Sequence, residues 1–579
     1  MNGGRLVAEV LRAQGVDYLF TLCGGHISPI LVECDRVGVQ VIDTRDEKSA
    51  VFAADAVARM TGVPGVAAVT AGPGLTNTLT AVQNAYLAES PLVLIGGATA
   101  TALKGRGALQ DIDQVLPIAS MVKSTRRVGR ARDIVSALED AFETALEGVP
   151  GPVFVELPVD LLYDPATVRE WYGEMTGGGK GRSLPMRALD VAAKAHLFRI
   201  FRGIDQVEVG PARRPGPPAP TQGDVEQVAA MLQKAERPLI VAGSQTVVDA
   251  AGVERTAEAL RHLGVPVYLG GSARGLLGRE GAGIQFRHKR SAALKEADLV
   301  IVCGFPFDFR LGYGMGIPRS TPVVTVNRDE AALRKNRRPT LGVHADAGRL
   351  LQQLARAVPS QRSRVTGWIA TLNSREAARD AEIVQQAAEP TEHINPLYLC
   401  REIERAMSDD AVMVVDGGDF VATASYICKP RGPLRWLDPG VFGTLGVGGG
   451  FAGGAALVRP GTETWLLWGD GSSAYSLAEF DTFARHGLPI IAVIGADGSW
   501  AQIARDQVEL LGSDCGTKLR RADYHKVAEG YGGVGLEVDD PADVPGVLAE
   551  AKAAAARGRA VCVNAWIGAT DFRKGSLSI

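Results

Sequence analysis

The sequence predicts an α/β protein of three domains, each a doubly wound parallel sheet covered by helices. Three observations carry that expectation. Short, wholly apolar runs alternate with amphipathic helical stretches, the pattern of strands buried on both faces. The length of 579 residues suits about three to five domains at ~100–200 residues each. Glycine is in excess, at 69 residues or ~12% against a usual ~7%, with no collagen period and with 46% hydrophobic residues. Many glycines must therefore serve tight turns or close approach of backbone to a ligand.

The first block, residues 1–165, has strand-like runs at Val16–Leu22, Val39–Asp43, Gly65–Thr70, Pro91–Gly96 and Pro152–Leu157. Helical patterns at Glu47–Thr61 and Asn77–Ala88 lie between them. Residues 166–224 carry no long strand signal. Gly177–Gly179 and the proline-rich Pro211–Pro220 read as a linker or crossing loop, interrupted by a helical stretch at Leu189–Phe201. The second block, 225–358, resumes the alternation at Pro238–Val241, Val265–Leu269, Leu299–Cys303 and Val323–Val326, and reads as a Rossmann-like domain. A polar helical connector with few apolar anchors, 359–390, follows. The third block, 391–567, shows Ala411–Val415, Thr464–Leu467, Ile490–Ile494 and Ala560–Val563, Gly530 to Gly535 read as surface turns, and a polar tail of residues 568–579 ends the chain. The outer blocks are alike in size and strand content, which suggests duplication, although no residue-level repeat is visible.

Charge and cysteine narrow the function. With 62 basic against 65 acidic residues the net charge is −3, so no basic field exists to hold nucleic acid. The 7 cysteines are odd in number and scattered without a CxxC pair, as expected of reduced thiols in the cytoplasm. No signal peptide and no run of 18 apolar residues is seen, so a soluble protein with no membrane partner is expected.

The strongest local signal lies in the third block. Trp465-Leu466-Leu467-Trp468 delivers Gly469-Asp470-Gly471-Ser472 at a strand's carboxyl end, where α/β sheets place ligands. One strand–helix–strand excursion later, Ile490–Ile494 runs into Gly495-Ala496-Asp497-Gly498-Ser499-Trp500. A lone acid between glycines is a common turn. Two of them after successive strands bring Asp470 and Asp497 together. With backbone and diphosphate oxygens they make a hard oxygen site suited to Mg²⁺.

With these residues the sequence resembles the thiamine-diphosphate enzymes of the acetolactate synthase and pyruvate decarboxylase type. The resemblance implies Asp470, Asp497 and the Ser499 carbonyl as Mg²⁺ ligands. It implies Gly469, Gly471, Ser472 and Trp500 as cofactor neighbours, with a diphosphate-binding third domain and a pyrimidine-binding first domain. Asp497 stands where that family has Asn, which keeps an oxygen ligand but adds a negative charge. Asp43-Thr44-Arg45-Asp46-Glu47 resembles the segment whose glutamate meets the aminopyrimidine, with Asp46 in place of the family's histidine. Glu47 then favours the imino tautomer that takes the proton from the thiazolium C2. Ala71-Gly72-Pro73-Gly74-Leu75-Thr76-Asn77 resembles the loop beside the pyrimidine, giving Gly72, Pro73 and Asn77 as cofactor residues. Gly443-Thr444-Leu445-Gly446 resembles the segment that bends the cofactor, with Thr444 beside it and Leu445 as the apolar wedge. Gly105 to Asp111 resembles the segment facing the substrate, through Gln110.

The loop Cys23-Gly24-Gly25-His26, the run Arg431 to Gly446 and the ending Thr570 to Ile579 resemble the acetolactate-synthase-like 2-hydroxyacyl-CoA lyases. That resemblance implies cleavage of a 2-hydroxyacyl-CoA to formyl-CoA and a shorter aldehyde, with reverse condensation open. It implies His26, Gln110 and Gln502 as handlers of protons or of the thioester. Arg431, Arg435, Arg573 and Lys574 are candidate anchors for coenzyme A phosphates. ADP or FAD is expected in the middle domain, near Asp308, Arg310, Asn327 and Arg328. A homodimer is implied as the minimum, because the family's cofactor lies between two chains, and a tetramer is usual. The plain alternatives stay open. Glu47 is then a charge at a helix start, and Leu445 a core leucine. His26 becomes a helix-start histidine, Gln110 and Gln502 solvated residues. Two other functions also stay open: a carboligase of the acetolactate synthase type acting on pyruvate or another 2-oxo acid, and a catalytically silent paralogue.

Overall fold

The computed structural model describes residues 2–175 and 184–574, so Gly177–Gly179 lie outside the described residues. The chain divides into two compact units. One holds residues 1–58 and 63–215, the other residues 59–62 and 216–579.

The first unit contains one sheet: β1 (Tyr18–Thr21), β2 (Gln40–Asp43), β3 (Gly65–Val69), β4 (Leu92–Ala98), β5 (Ser124–Arg127) and β6 (Pro152–Pro158). Their order is β2-β1-β3-β4-β6-β5, every pairing parallel. Every residue of β3, β4 and β6 is buried, as expected of strands covered on both faces. The helix Gly3–Ala13 shows why the flanking elements form. Asn2 caps it by accepting the Arg5 N–H, and Leu6, Val7, Val10 and Leu11 bury one face at helical spacing.

The second unit contains two sheets. The first has β7 (Pro238–Ala242), β8 (Val267–Leu269), β9 (Gln285–Phe286), β10 (Leu299–Cys303), β11 (Val323–Asn327) and β12 (Leu341–His344). Read from β9 the order is β9-β8-β7-β10-β11-β12, the 3-2-1-4-5-6 arrangement of a Rossmann sheet. The other has β13 (Val412–Val415), β14 (Trp436–Leu437), β15 (Thr464–Gly469), β16 (Ile490–Ala496), β17 (Val534–Val538) and β18 (Val561–Trp566). Its order, β14-β13-β15-β16-β18-β17, repeats that of the first unit's sheet strand for strand. The suggested duplication is thus present in topology.

Three expectations need correction. The segment 166–224 is not mainly loop, since helices Pro165–Met175 and Leu184–Phe201 occupy much of it. The polar connector is the 22-residue helix Thr366–Ala387, and it buries Trp368, Ile369, Leu372 and Ile383. Gly530 to Gly535 are not merely surface turns. A Cβ on Gly533 would meet the Phe480 ring at 2.7 Å, and one on Gly535 the His525 carbonyl at 2.6 Å.

Candidate active site

In the third sheet β15 and β16 run side by side with Gly469 opposite Gly495. That register puts Asp470 and Asp497 at neighbouring strand ends. Asp470 begins a one-turn helix, Asp470–Ser473, and is 2% exposed. Its Oδ1 accepts the Gly471 N–H at 2.8 Å and its Oδ2 the Gly498 N–H at 2.7 Å. Asp497 Oδ1 accepts the Ser499 N–H at 2.9 Å. Burial, then the charge of Asp470, push the Asp497 carboxyl up to about 7. Burial also raises Asp470, against the pull of the N–H groups of Gly498 and Gly471. A buried carboxylate beside a partly buried one whose charge it makes costlier is a donor set that a divalent cation fits, since it supplies the missing positive charge.

Beside them lies a cavity of about 260 Å³, lined among others by Gly417, Leu445, Asp470, Asp497, Trp500 and Gln502. Gly469, Gly471, Ser472 and Ser499 also line it, whereas Thr444 does not and bonds the Leu445 carbonyl at 3.1 Å. At two glycines an added Cβ would press on a side chain that lines the cavity. A Cβ on Gly471 would lie 2.4 Å from the Trp500 ring, and one on Gly417 2.3 Å from Leu445 Cδ2.

Leu445 is held by a residue that the sequence reading passed over. Asp416 follows β13, is 3% exposed, and accepts the N–H groups of Gly446 (3.0 Å), Gly448 (2.7 Å) and Gly417 (2.8 Å). The Trp468 indole adds a fourth bond at 3.3 Å. Asp416-Gly417-Gly418 after an apolar strand repeats the acid–glycine turn at Asp470, and that repetition was the available signal.

In the first unit the expected residues follow the carboxyl ends of β1, β2, β3 and β4. Glu47 heads the helix Glu47–Thr61, is 7% exposed, and accepts a hydrogen bond from Asn77 Nδ2 at 3.0 Å. His26 Nδ1 lies 3.1 Å from Thr70 Oγ1, and burial lowers its pKa, so the imidazole is neutral near pH 7. Gly72 precedes the turn Pro73–Thr76 with φ +66°, and a Cβ there would meet the Gln110 carbonyl at 2.8 Å. Gln110 itself has φ +62°, a conformation few side chains adopt without support. That support includes Gln114, which sequence reasoning missed. Buried to 1%, Gln114 accepts the Gly72 N–H at 3.0 Å and donates to the Gly97 carbonyl at 3.0 Å and to Glu156 at 3.2 Å.

One expected phosphate anchor, Arg431, is corrected. The Arg431 side chain is wholly buried, pairs with Glu404 at 2.6 Å and donates to four main-chain carbonyls, so no donor is left for a ligand. Arg435 donates to the Asp410 carbonyl. Arg328 forms a buried pair with Asp346 at 2.7 Å, Asn327 accepts from Gln245 at 2.9 Å, and Asp308 and Arg310 pair with each other. The Phe305 ring fills the space beside Gly243 and Gly270. These residues near the switch point between β7 and β10, where such a sheet binds a dinucleotide, are thus paired within the chain.

Three family models match the chain in order: thiamine pyrophosphate enzyme, N-terminal TPP binding domain (residues 1–116), central domain (225–354) and C-terminal TPP binding domain (416–565). The 2-hydroxyacyl-CoA lyase 2 of Mus musculus is 47% identical over 100% of this chain and 92% of its own. That of Danio rerio is 45% identical over 100% and 93%. The acetolactate synthase large subunit IlvG of Mycobacterium tuberculosis is 32% identical over 95% and 93%. On these matches the chain belongs to the thiamine pyrophosphate (thiamine diphosphate) enzymes.

Proposed function

We propose that the chain is a thiamine-diphosphate-dependent carbon–carbon lyase that cleaves 2-hydroxyacyl-CoA to formyl-CoA and an aldehyde one carbon shorter, and that also runs the reverse condensation. The observation that carries this reading is the identity of 47% to a 2-hydroxyacyl-CoA lyase over the whole chain, against 32% to an acetolactate synthase.

The bound cofactor supplies a thiazolium ring that accepts the electron pair of the broken bond. The rest falls to the chain's residues. Asp470, Asp497 and the Ser499 carbonyl hold Mg²⁺ against the diphosphate. Gly469, Gly471, Ser472, Thr444 and Trp500 seat that end, and Leu445 sets its bend. Gly72, Pro73 and Asn77 seat the pyrimidine. Glu47 holds a proton at the aminopyrimidine. Neutral His26 accepts the proton of the substrate hydroxyl. Gln110 and Gln502 orient the thioester. The domain limits 1–165, 225–358 and 391–567, with linker, connector and tail between and after them, belong to the same reading.

The working unit is a homodimer or homotetramer. The helix Ala501–Leu511 supports this, since it leaves Ile503, Leu510 and Leu511 exposed at 51%, 74% and 76%. Seven free thiols support a cytoplasmic setting, and no described helix is long and apolar enough to cross a membrane. Purified protein given thiamine diphosphate, Mg²⁺ and either 2-hydroxyacyl-CoA or pyruvate is expected to consume only the thioester. Acetolactate from pyruvate without thioester turnover would overturn the reading.

A further inference from the structure

β6 carries a carboxylate inside the sheet. Glu156 lies within a strand buried throughout, is itself 1% exposed, and stands opposite Gly96 of β4 and Arg127 of β5. A buried charge is costly unless it is paired and hydrogen-bonded. Two of its partners come from one loop, residues 99–114, which joins β4 to the helix Val115–Ile118. Lys104 Nζ, toward the start of the loop, donates to Oε1. Gln114 Nε2, at its end, donates to Oε2 at 3.2 Å. Arg127 Nε lies 3.4 Å from Oε1, and its Nη2 pairs with Asp113 of the same loop. A second buried carboxylate, Asp160, follows the same strand. It accepts the Thr101 N–H on both oxygens at 3.0 Å and the Thr101 hydroxyl at 2.6 Å.

Between these anchors the loop has little packing of its own. Leu109 is 83% exposed, and a Cβ on Gly105 or Gly107 would meet nothing within 4 Å. The shape of the tip therefore depends on the polar anchors. Gln110 nevertheless holds the left-handed conformation, at φ +62°, close over Gly72, and Gly72 is bonded at 3.0 Å to the same Gln114. That conformation is unfavourable for a glutamine and persists only where its surroundings impose it.

We propose that Glu156 is a positioning residue. By holding Lys104 and Gln114 on its two oxygens it closes the loop 99–114 and sets Gln110 over the turn at Gly72. A buried ion pair adds little net stability over apolar residues of the same volume, and its use here is to select one conformation of the loop. That Gln110 orients the thioester from this position rests on the lyase reading. The closure of the loop does not.

The test compares hydrogen exchange, read by mass spectrometry, with steady-state kinetics of the same proteins. Lys104 is one-third exposed, so Lys104→Met is expected to fold. Amides of residues 103–112 should exchange about tenfold faster in it, with the rest of the sheet unchanged, and Lys104→Arg should restore them. KM for a 2-hydroxyacyl-CoA should rise about tenfold with kcat within about twofold, since orientation is lost in ground and transition states alike. Thiamine diphosphate affinity should not move. Gln110→Asn tolerates the left-handed conformation but shortens the amide. In that background Lys104→Met should raise KM no further, because the clamp acts through Gln110. Unchanged exchange in the loop overturns the clamp. Two rises in KM that multiply overturn its action through Gln110 and leave Glu156 a merely structural carboxylate. A wild-type protein inert toward the thioester overturns the lyase reading instead, and the exchange alone then decides the clamp.

Discussion

Glu47 carries most of the proposed chemistry at the scale of single residues. It sits at a helix start, nearly buried, with Asn77 as neutral partner. Glu47→Gln keeps the shape and the hydrogen bond but removes the ionisable group. Turnover should fall about hundred- to ten-thousandfold while thiamine diphosphate still binds, as read by steady-state kinetics beside cofactor titration. Gly417 tests the wedge. A methyl group there meets only the tip of Leu445, at 2.3 Å, and a side-chain tip moves more easily than backbone. Gly417→Ala should leave the melting temperature within a few degrees, a change of under ~1 kcal/mol, and lower turnover by displacing Leu445. Arg431 shows how a correct residue type can mislead. An arginine beside a site loop reads as a phosphate anchor, but its guanidinium is spent on Glu404 and four carbonyls. Arg431→Ala should cost about 3–5 kcal/mol of stability in thermal or urea unfolding, because it takes the donor away from four main-chain carbonyls and from Glu404, without raising KM for the thioester.

The segment from Asp416 to Gly448 behaves as one element, since Asp416 binds the N–H groups of Gly446 and Gly448 just after Leu445. Burial pushes Asp416 up to about 6, against the pull of the N–H groups of Gly448, Gly446 and Gly417. Its folded pKa stands above the ordinary 3.8, so the charged form is the costlier one in the fold. The stability it gives is complete below about pH 4 and lost as pH rises through about 6. Asp416→Asn should flatten that window in melts taken from pH 4 to 7, and cost ~1–3 kcal/mol throughout by turning an amide donor toward a backbone N–H. An identical pH slope in both proteins would contradict this. The strands that sequence patterning found are the central, wholly apolar ones, such as β3, β4, β15 and β16. Those it missed are β5, β9, β12, β14 and β17. All five are sheet edges; β5, Ser124–Arg127, is polar and half exposed, and β9 and β14 have two residues each. No apolar alternation announces such strands. The acid–glycine turns at Asp470 and Asp497 were legible because glycine flanks an acid after an apolar strand. The meeting of Arg274 and Arg287 on the Ser425 carbonyl was not, because only the fold brings them together.

Across the whole molecule, two sheets share one strand order and a third has Rossmann order. The shared order explains why the outer blocks looked alike without a residue repeat, since topology outlasts sequence. The two outer sheets then carry different duties, with Glu47 and His26 at the strand ends of one and Asp470 and Asp497 at those of the other. The account's central claim is that these ends serve cleavage between the thioester carbonyl and the hydroxyl-bearing carbon. The direct measurement is mass spectrometry of products from 2-hydroxyacyl-CoA labelled with ¹³C at the thioester carbonyl, with and without thiamine diphosphate. The account predicts label in formyl-CoA, an unlabelled aldehyde one carbon shorter, and no product without the cofactor. Label left in intact thioester, or formyl-CoA released without cofactor, would contradict it.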